Sequence, residues 1–160
     1  MIVTVDASSM IYAWDNYPIE QFPKLWEWLC EEIEKDHLSV SKVAYDEIKK
    51  HYEECAEWMD DCGVQKIEIS NEILRFALHI RSILGIEGDD YHTKGVGEND
   101  ILIIATAKVV QRTLISNEGL QFPPPQNLKK CKIPTVCALP NVGVTCIDFL
   151  QYIRNSRRVF

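Results

Sequence analysis

The chain has 160 residues, of which 46% are hydrophobic and 26% charged, with a formal net charge of −7. Length and composition predict one ordinary soluble globular domain across residues 1–160. The acidic balance argues against a general nucleic-acid coat protein, which wants a basic surface, but leaves open a nuclease whose acids surround a cation. Ile2 to Val5 read as a buried strand ended by Asp6. Ser8-Ser9 are placed to cap a short helix, Met10 to Trp14. After a loop through Asp15-Asn16-Tyr17-Pro18, Pro23 suits the first turn of a helix with Leu25, Trp26, Leu29, Cys30 and Ile33 on one face. His37 to Val40 form a second strand. Ser41 then precedes a single long helical pattern, Val43, Ala44, Ile48, Tyr52, Cys55, Ala56 and Met59, which stops near Gly63.

Val64 to Ile69 alternate as a third strand, and Ser70 or Asn71 caps a helix that runs to Gly85. Ile86 to Gly97 is a polar loop. Asp100 to Val110 is a helix apolar nearly all round, hence central. Thr113 to Ser116 is the fourth strand, and Gln121 to Lys132, with Pro123-Pro124-Pro125, a rigid surface loop. Ile133 to Pro140 is irregular or a short turn of helix, Val144 to Ile147 a fifth strand, and Asp148 to Asn155 the last helix. Strands alternating with helices predict an α/β fold: a three-layer α/β/α sandwich around a central parallel sheet of about five strands.

No apolar run approaches the roughly 20 residues that cross a bilayer, so no membrane association is expected. The chain enters its first strand without a basic leader or small-residue cleavage site, so no secretion signal is expected. Cys30, Cys55, Cys62, Cys131, Cys137 and Cys146 contain no CxxC pair, which disfavours zinc. Most lie in apolar surroundings, which predicts buried free thiols, no disulfide set and a cytoplasmic address.

Four acids stand out. Asp6 ends the first strand, Glu47 follows Tyr45-Asp46, Asp100 opens the apolar helix, and Glu118 follows the fourth strand. Carboxylates are seldom set beside apolar segments unless paired, hydrogen-bonded or holding a cation. In open parallel sheets ligands collect outside the carboxyl ends of the strands, a place all four could share. Gathered there they repel one another, and a divalent ion is the simplest relief. Plainer readings exist for each: Asp6 as a helix cap, Glu47 as a surface residue beside Lys49 and Lys50, Asp100 as a first-turn acid, Glu118 as a loop acid. Ser8 is placed to orient Asp6 or a water, or to cap the helix. Trp14, Trp26, Trp28 and Trp58 read as core before base-stacking surface, and His37, His51, His79 and His92 form no ligand-spaced set. Lys129-Lys130-Cys131-Lys132 and Arg154-Asn155-Ser156-Arg157-Arg158 concentrate positive charge. Either could line a polyanion's path, or be a solvated loop and a helix C-terminus.

Four blocks together resemble the PIN domain family: Val5-Asp6-Ala7-Ser8-Ser9, Tyr45-Asp46-Glu47-Ile48, Glu98-Asn99-Asp100 through Ala107, and Leu114-Ile115-Ser116-Asn117-Glu118. The family carries an Asp after its first strand, a Glu in an early helix, an Asp opening a helix of the form D-x-x-I-A-x-A, and an acid after a strand ending T-N-D. The match spans most of the chain and departs at the fourth block, where Glu118 replaces Asp and either it or Asn117 fills the position. The resemblance implies a Mg²⁺- or Mn²⁺-dependent endoribonuclease leaving 5′-phosphate and 3′-hydroxyl ends. Asp6 and Asp100 would ligate directly, Glu47 and Glu118 would hold a second ion or orient water, and Ser8, Asn117, Lys129 and Lys130 would face the substrate. It also implies the toxin of a toxin–antitoxin module, itself pairing as a homodimer, with an antitoxin that covers the cleft. A reading from another class is a PIN-like binding or scaffold module that no longer cuts, supported by the altered fourth block. A haloacid-type phosphotransferase would need an Asp where Ser8 stands, and a receiver domain's adjacent acids and late-strand lysine are missing.

Overall fold

The computed structural model describes residues 1–160. In chain order the elements are β1 (Val3–Val5), α1 (Ala7–Asn16), α2 (Pro23–Glu34), β2 (Leu38–Ser41), α3 (Lys42–His51), α4 (Glu53–Asp61), β3 (Lys66–Ile67), α5 (Asn71–Leu84), α6 (Glu98–Val109), β4 (Thr113–Ile115), α7 (Ile133–Ala138), β5 (Cys146–Ile147) and α8 (Phe149–Ser156). A 3₁₀ turn, Leu128–Lys130, precedes α7. The strands make one parallel sheet in the order β3-β2-β1-β4-β5. Helices cover it in the three-layer α/β/α arrangement that parallel crossovers impose.

The strand order decides where a site can form. The chain builds outward from β1 to β3, then returns across β1 to add β4 and β5. The loops leaving β1 and β4 therefore part to opposite faces, and a crevice opens between their carboxyl ends. Asp6 and Ser116 begin those two loops. Asp6 N–H is held by Ile115 O at 2.8 Å and Ser116 N–H by Ile147 O at 3.0 Å, so the edge is pinned by backbone.

Local chemistry explains most boundaries. Ser41 and Ser70 accept from Ala44 N–H and Ile73 N–H as N-caps, and Gly85 closes α5 in the left-handed region at φ 75°. α6 carries Ile101, Ile103, Ile104, Ala105 and Ala107 into the core, which explains its almost unbroken apolar sequence. The core joins 41 buried residues. Trp26 and Trp28 lie inside it, while Trp14 and Trp58 close edge-on over Trp26 at 5.2 and 4.7 Å. The tryptophans are thus packing residues, as expected.

The structure corrects three expectations and decides another, the choice between irregular chain and a short turn of helix after Lys132. The single helix expected from Val43 to Met59 is two, because Tyr52 turns extended (φ −139°, ψ 94°) and its hydroxyl reaches the Asp15 carboxylate. Ser8 and Ser9 do not precede the first helix but lie in its first turn, with Asp6 at the N-cap position. Ile133–Ala138 is a regular helix with a proline in its first turn. Finally, Cys30 and Cys62 are joined by a disulfide, their Cα atoms 5.4 Å apart, because the end of α2 lies beside the end of α4. The other four cysteines are free; Cys55, Cys131 and Cys137 are buried. No helix is long and apolar enough to cross a membrane.

Candidate functional site

Asp6 is buried, at 3% exposure, and stands at the N-cap position of α1. Its carboxylate makes no capping bond. Instead, Oδ2 accepts from Ser8 Oγ at 2.5 Å and from Ser116 Oγ at 3.1 Å, and Oδ1 has no hydrogen-bond donor. The N-cap reading of Asp6 therefore fails, and Ser8 takes the orienting role. Ser9 completes the joint, donating to Asp6 O and Ile115 O and so locking α1 to β4.

Asp100 lies in the first turn of α6, where Oδ2 accepts from Gly97 N–H at 2.9 Å and Oδ1 stays free. The first-turn reading is thus correct for one oxygen of two. Glu118 follows the same pattern: Oε2 accepts from Ile133 N–H at 2.8 Å, at the start of α7, and Oε1 has no partner. Glu47, half-buried on α3, has no hydrogen-bond donor at normal distance. Its neighbour Asp46 is exposed and paired with Lys42 at 2.6 Å, which removes it as a rival.

The acids feel one another. Burial lifts the Asp6 carboxyl from its ordinary 3.8 to about 6; Asp100 and Glu118 add to the rise, and the Ser8 and Ser116 hydroxyls oppose it. Glu47 is raised by burial and by the Asp100 charge, against the Asn99 amide. Asp100 is raised by burial, against the Gly97 N–H. The Asp100 charge thus reaches Glu47 on one side and Asp6 on the other, and the Glu118 charge reaches Asp6. As the side chains stand, no three acids close around one point.

Asn117 parts company with this set. Its Oδ1 accepts from Phe149 N–H at 3.0 Å, at the first turn of α8, and its own N–H donates to Ser8 Oγ at 3.1 Å. Its side chain ties β4 to α8. Of the two candidates for the fourth position, Glu118 is the one whose charge reaches Asp6. Replacing Glu118 with Gln should therefore lower metal-dependent activity with little loss of stability. Asn117→Ala should lower stability by about 1 kcal/mol, the worth of one buried hydrogen bond. Unfolding curves and a Mn²⁺ titration on both variants check this, and the reverse order of effects would return the fourth position to Asn117.

The basic clusters separate. Lys129 pairs with Asp90, while Lys130 and Lys132 make no ion pair. The segment carrying them is tied to the site on two sides: Cys131 O accepts from Val96 N–H just before α6, and Ile133 N–H holds Glu118. The arginine cluster lies elsewhere. Arg158 pairs with Glu31 at 3.5 Å and lines a cavity with Met1 and His37, at the amino edge of the sheet, so it does not border the acids.

These features define a PIN-like fold, with Asp6 and Glu118 at the carboxyl ends of the two strands that flank the switch point of the sheet. The chain belongs to the family described as a domain of unknown function, DUF4411, whose model matches residues 3–160. A comparison with curated proteins finds no match. Among solved structures it is similar to VapBC2 from Rickettsia felis bound to a DNA fragment from their promoter, with a TM-score of 0.56 and 18% identity over 93% of this chain and 99% of that one. It is also similar to PAE2754 from Pyrobaculum aerophilum, with a TM-score of 0.50 and 12% identity over 99% of this chain and 98% of that one.

Proposed function

We propose that this chain is a Mg²⁺- or Mn²⁺-dependent endoribonuclease and the toxin of a cytoplasmic toxin–antitoxin module. One observation carries the reading. Asp6, Asp100 and Glu118 are each anchored through one carboxylate oxygen by a protein donor and left with the other uncommitted. None of these three free oxygens is a buried, unpartnered atom, so each opens to solvent where an ion can reach it.

The donor set fits a hard divalent ion. All its members are carboxylates, and their mutual repulsion would be relieved by positive charge. As they stand the acids do not close on one point, so the ion would take one or two carboxylates and keep several waters. Asp6 and Asp100 would hold the ion, with Glu118 at its rim and Glu47 at a second ion or on water. When bound, the ion supplies positive charge that polarises the scissile phosphodiester and eases departure of the 3′ oxygen. Ser8 and Ser116 hold the Asp6 carboxylate in one orientation, Glu47 orients the attacking water, and Lys130 contacts the backbone phosphates. The test is incubation of the purified protein with end-labelled RNA in chelator, Mg²⁺ and Mn²⁺. Cleavage only with metal, leaving 5′-phosphate ends, is expected; intact RNA under all three conditions rejects the reading.

The antitoxin partner rests on the resemblance and on the likeness to VapBC2. A homodimer rests on the resemblance alone. The second reading, a binding module that does not cut, draws on the open spacing of the acids. Calorimetric Mn²⁺ titration separates the two, since a module that has lost its ion binds Mn²⁺ weakly and leaves RNA whole.

How a protein of net charge −7 holds a polyanion is also testable. Lys130→Ala and Lys132→Ala should each lower the salt slope of RNA binding by roughly one unit or slightly less. Arg157→Ala and Arg158→Ala, at the far edge, should leave it unchanged. Binding at several salt concentrations reads this out, and equal slopes for all four variants would remove the lysines from the substrate path.

A further inference from the structure

Four residues beyond Glu118, Phe122 presents its ring to solvent at 91% exposure, with Leu120 two residues before it at 62%. Phe122 packs against no aromatic ring and under no cation. A large exposed aromatic on a floppy loop would be unremarkable, but this one stands on a fixed stem. Gln121, immediately before it, makes three hydrogen bonds: its N–H donates to Thr135 Oγ1 at 2.8 Å, its side-chain amide donates to Lys130 O at 3.1 Å, and its Oε1 accepts from Lys132 N–H at 2.8 Å. Pro123, Pro124 and Pro125 stiffen the other side. Glu118 and Gln121 are fastened to the same end of α7, through Ile133 N–H and through Lys132 and Thr135. The stem of the ring, the Glu118 carboxylate and the backbone that carries the unpaired Lys130 and Lys132 therefore share one small frame.

We propose that Phe122 is the platform on which an unpaired base of single-stranded RNA stacks beside the acidic row, with Lys130 and Lys132 taking the adjoining phosphates; this rests on the ribonuclease reading above. Sequence-tolerant binding of single strands combines a rigid aromatic surface with cations that track the backbone. A stem held by three hydrogen bonds means little ordering entropy is lost when the base arrives. Duplex RNA, whose bases are already stacked, offers the ring no partner, so the substrate class is single-stranded RNA.

The test uses the full chain in chelator with a short oligouridylate carrying one 2-aminopurine, and cleavage of the same strand in Mn²⁺. The parent should quench 2-aminopurine emission. Phe122→Ala should bind roughly tenfold more weakly and lose the quench, Phe122→Trp should restore both, and Phe122→Leu should restore neither. The Lys130→Ala salt slope should fall, whereas that of Phe122→Ala should match the parent. In cleavage, Phe122→Ala should raise KM with kcat little changed. Parent-like affinity and emission in Phe122→Ala overturn the proposal, as does Leu serving as well as Trp, which would mark an apolar contact with a protein. Because binding is read without turnover, a parent that stacks the base yet never cuts refutes the nuclease reading and leaves this one standing. A parent that cuts while Phe122→Ala cuts with the same kcat/KM does the reverse.

Discussion

Asp6→Asn should abolish metal-dependent cleavage and, in metal-free buffer near neutral pH, make the protein more stable than the parent. The second half follows from the raised carboxyl. Unfolded, Asp6 titrates near 3.8; folded, burial and the Asp100 and Glu118 charges hold it to about 6. Below the lower value it is protonated in both states and costs nothing. As pH rises from about 4 to 6 the unfolded chain ionises while the folded one does not, so stability falls, and above 6 the full cost remains. A rise from 3.8 to about 6 corresponds to about 3 kcal/mol. Asn keeps an acceptor for Ser8 and Ser116 and carries no charge, so its stability curve should lose this slope. Asp100→Asn should likewise abolish cleavage and remove part of the same repulsion. Mn²⁺ should stabilise the parent by binding its folded form and do little for either variant. Denaturant unfolding between pH 4 and 7, in chelator and in Mn²⁺, measures all of this. A variant with the parent's pH slope, or one that still cuts RNA, removes Asp6 from the centre.

How much of this could be read from the residues depends on the distance over which each feature is decided. The strands, the order of elements and the parallel sheet were legible because β1 and β4 are short apolar or β-branched runs, β2 alternates Leu38 and Val40 with serines, and α6 is apolar nearly all round. The acids were legible for the same reason: Asp6 and Glu118 sit where apolar runs end. The break at Tyr52 was not, because Ile48, Tyr52, Cys55 and Ala56 keep helical spacing with no Gly or Pro, and what bends the chain is a partner, Asp15, from another element. The division of labour between Asn117 and Glu118 depends on Phe149 and Ile133, which no local pattern places beside them. The arginines at the end of α8 seemed as available to the site as the lysines before α7. Only the helix, starting at Asn117 and running to the opposite edge, separates them.

The Cys30–Cys62 bond was hidden for a related reason, since two cysteines 32 residues apart carry no pairing signal until α2 and α4 are packed side by side. Opening it with reductant should lower stability by about 3.7 kcal/mol, the chain-entropy worth of a loop of that length. For a chain of this size that is a fall of roughly 7–15 °C in Tm. The effect should be specific to this pair: Cys55 is deep in the core and pushed up to about 12 by burial, and Cys131 is raised by the same cause, so neither offers a reactive thiolate near neutral pH. A Cys30→Ala/Cys62→Ala variant should melt near the reduced parent and ignore reductant. A parent whose Tm does not move with reductant, or that exposes all six thiols when unfolded without it, would show that the bond does not form in solution. In a reducing cytosol the pair would be open. The proposed address then requires that the 41-residue core hold the fold without the cross-link, which a chain of 160 residues can bury enough surface to do. The margin measured in reductant is therefore the one that bears on the proposed cytoplasmic role, and Asp6, with its own cost of about 3 kcal/mol, draws on that same margin whenever metal is absent.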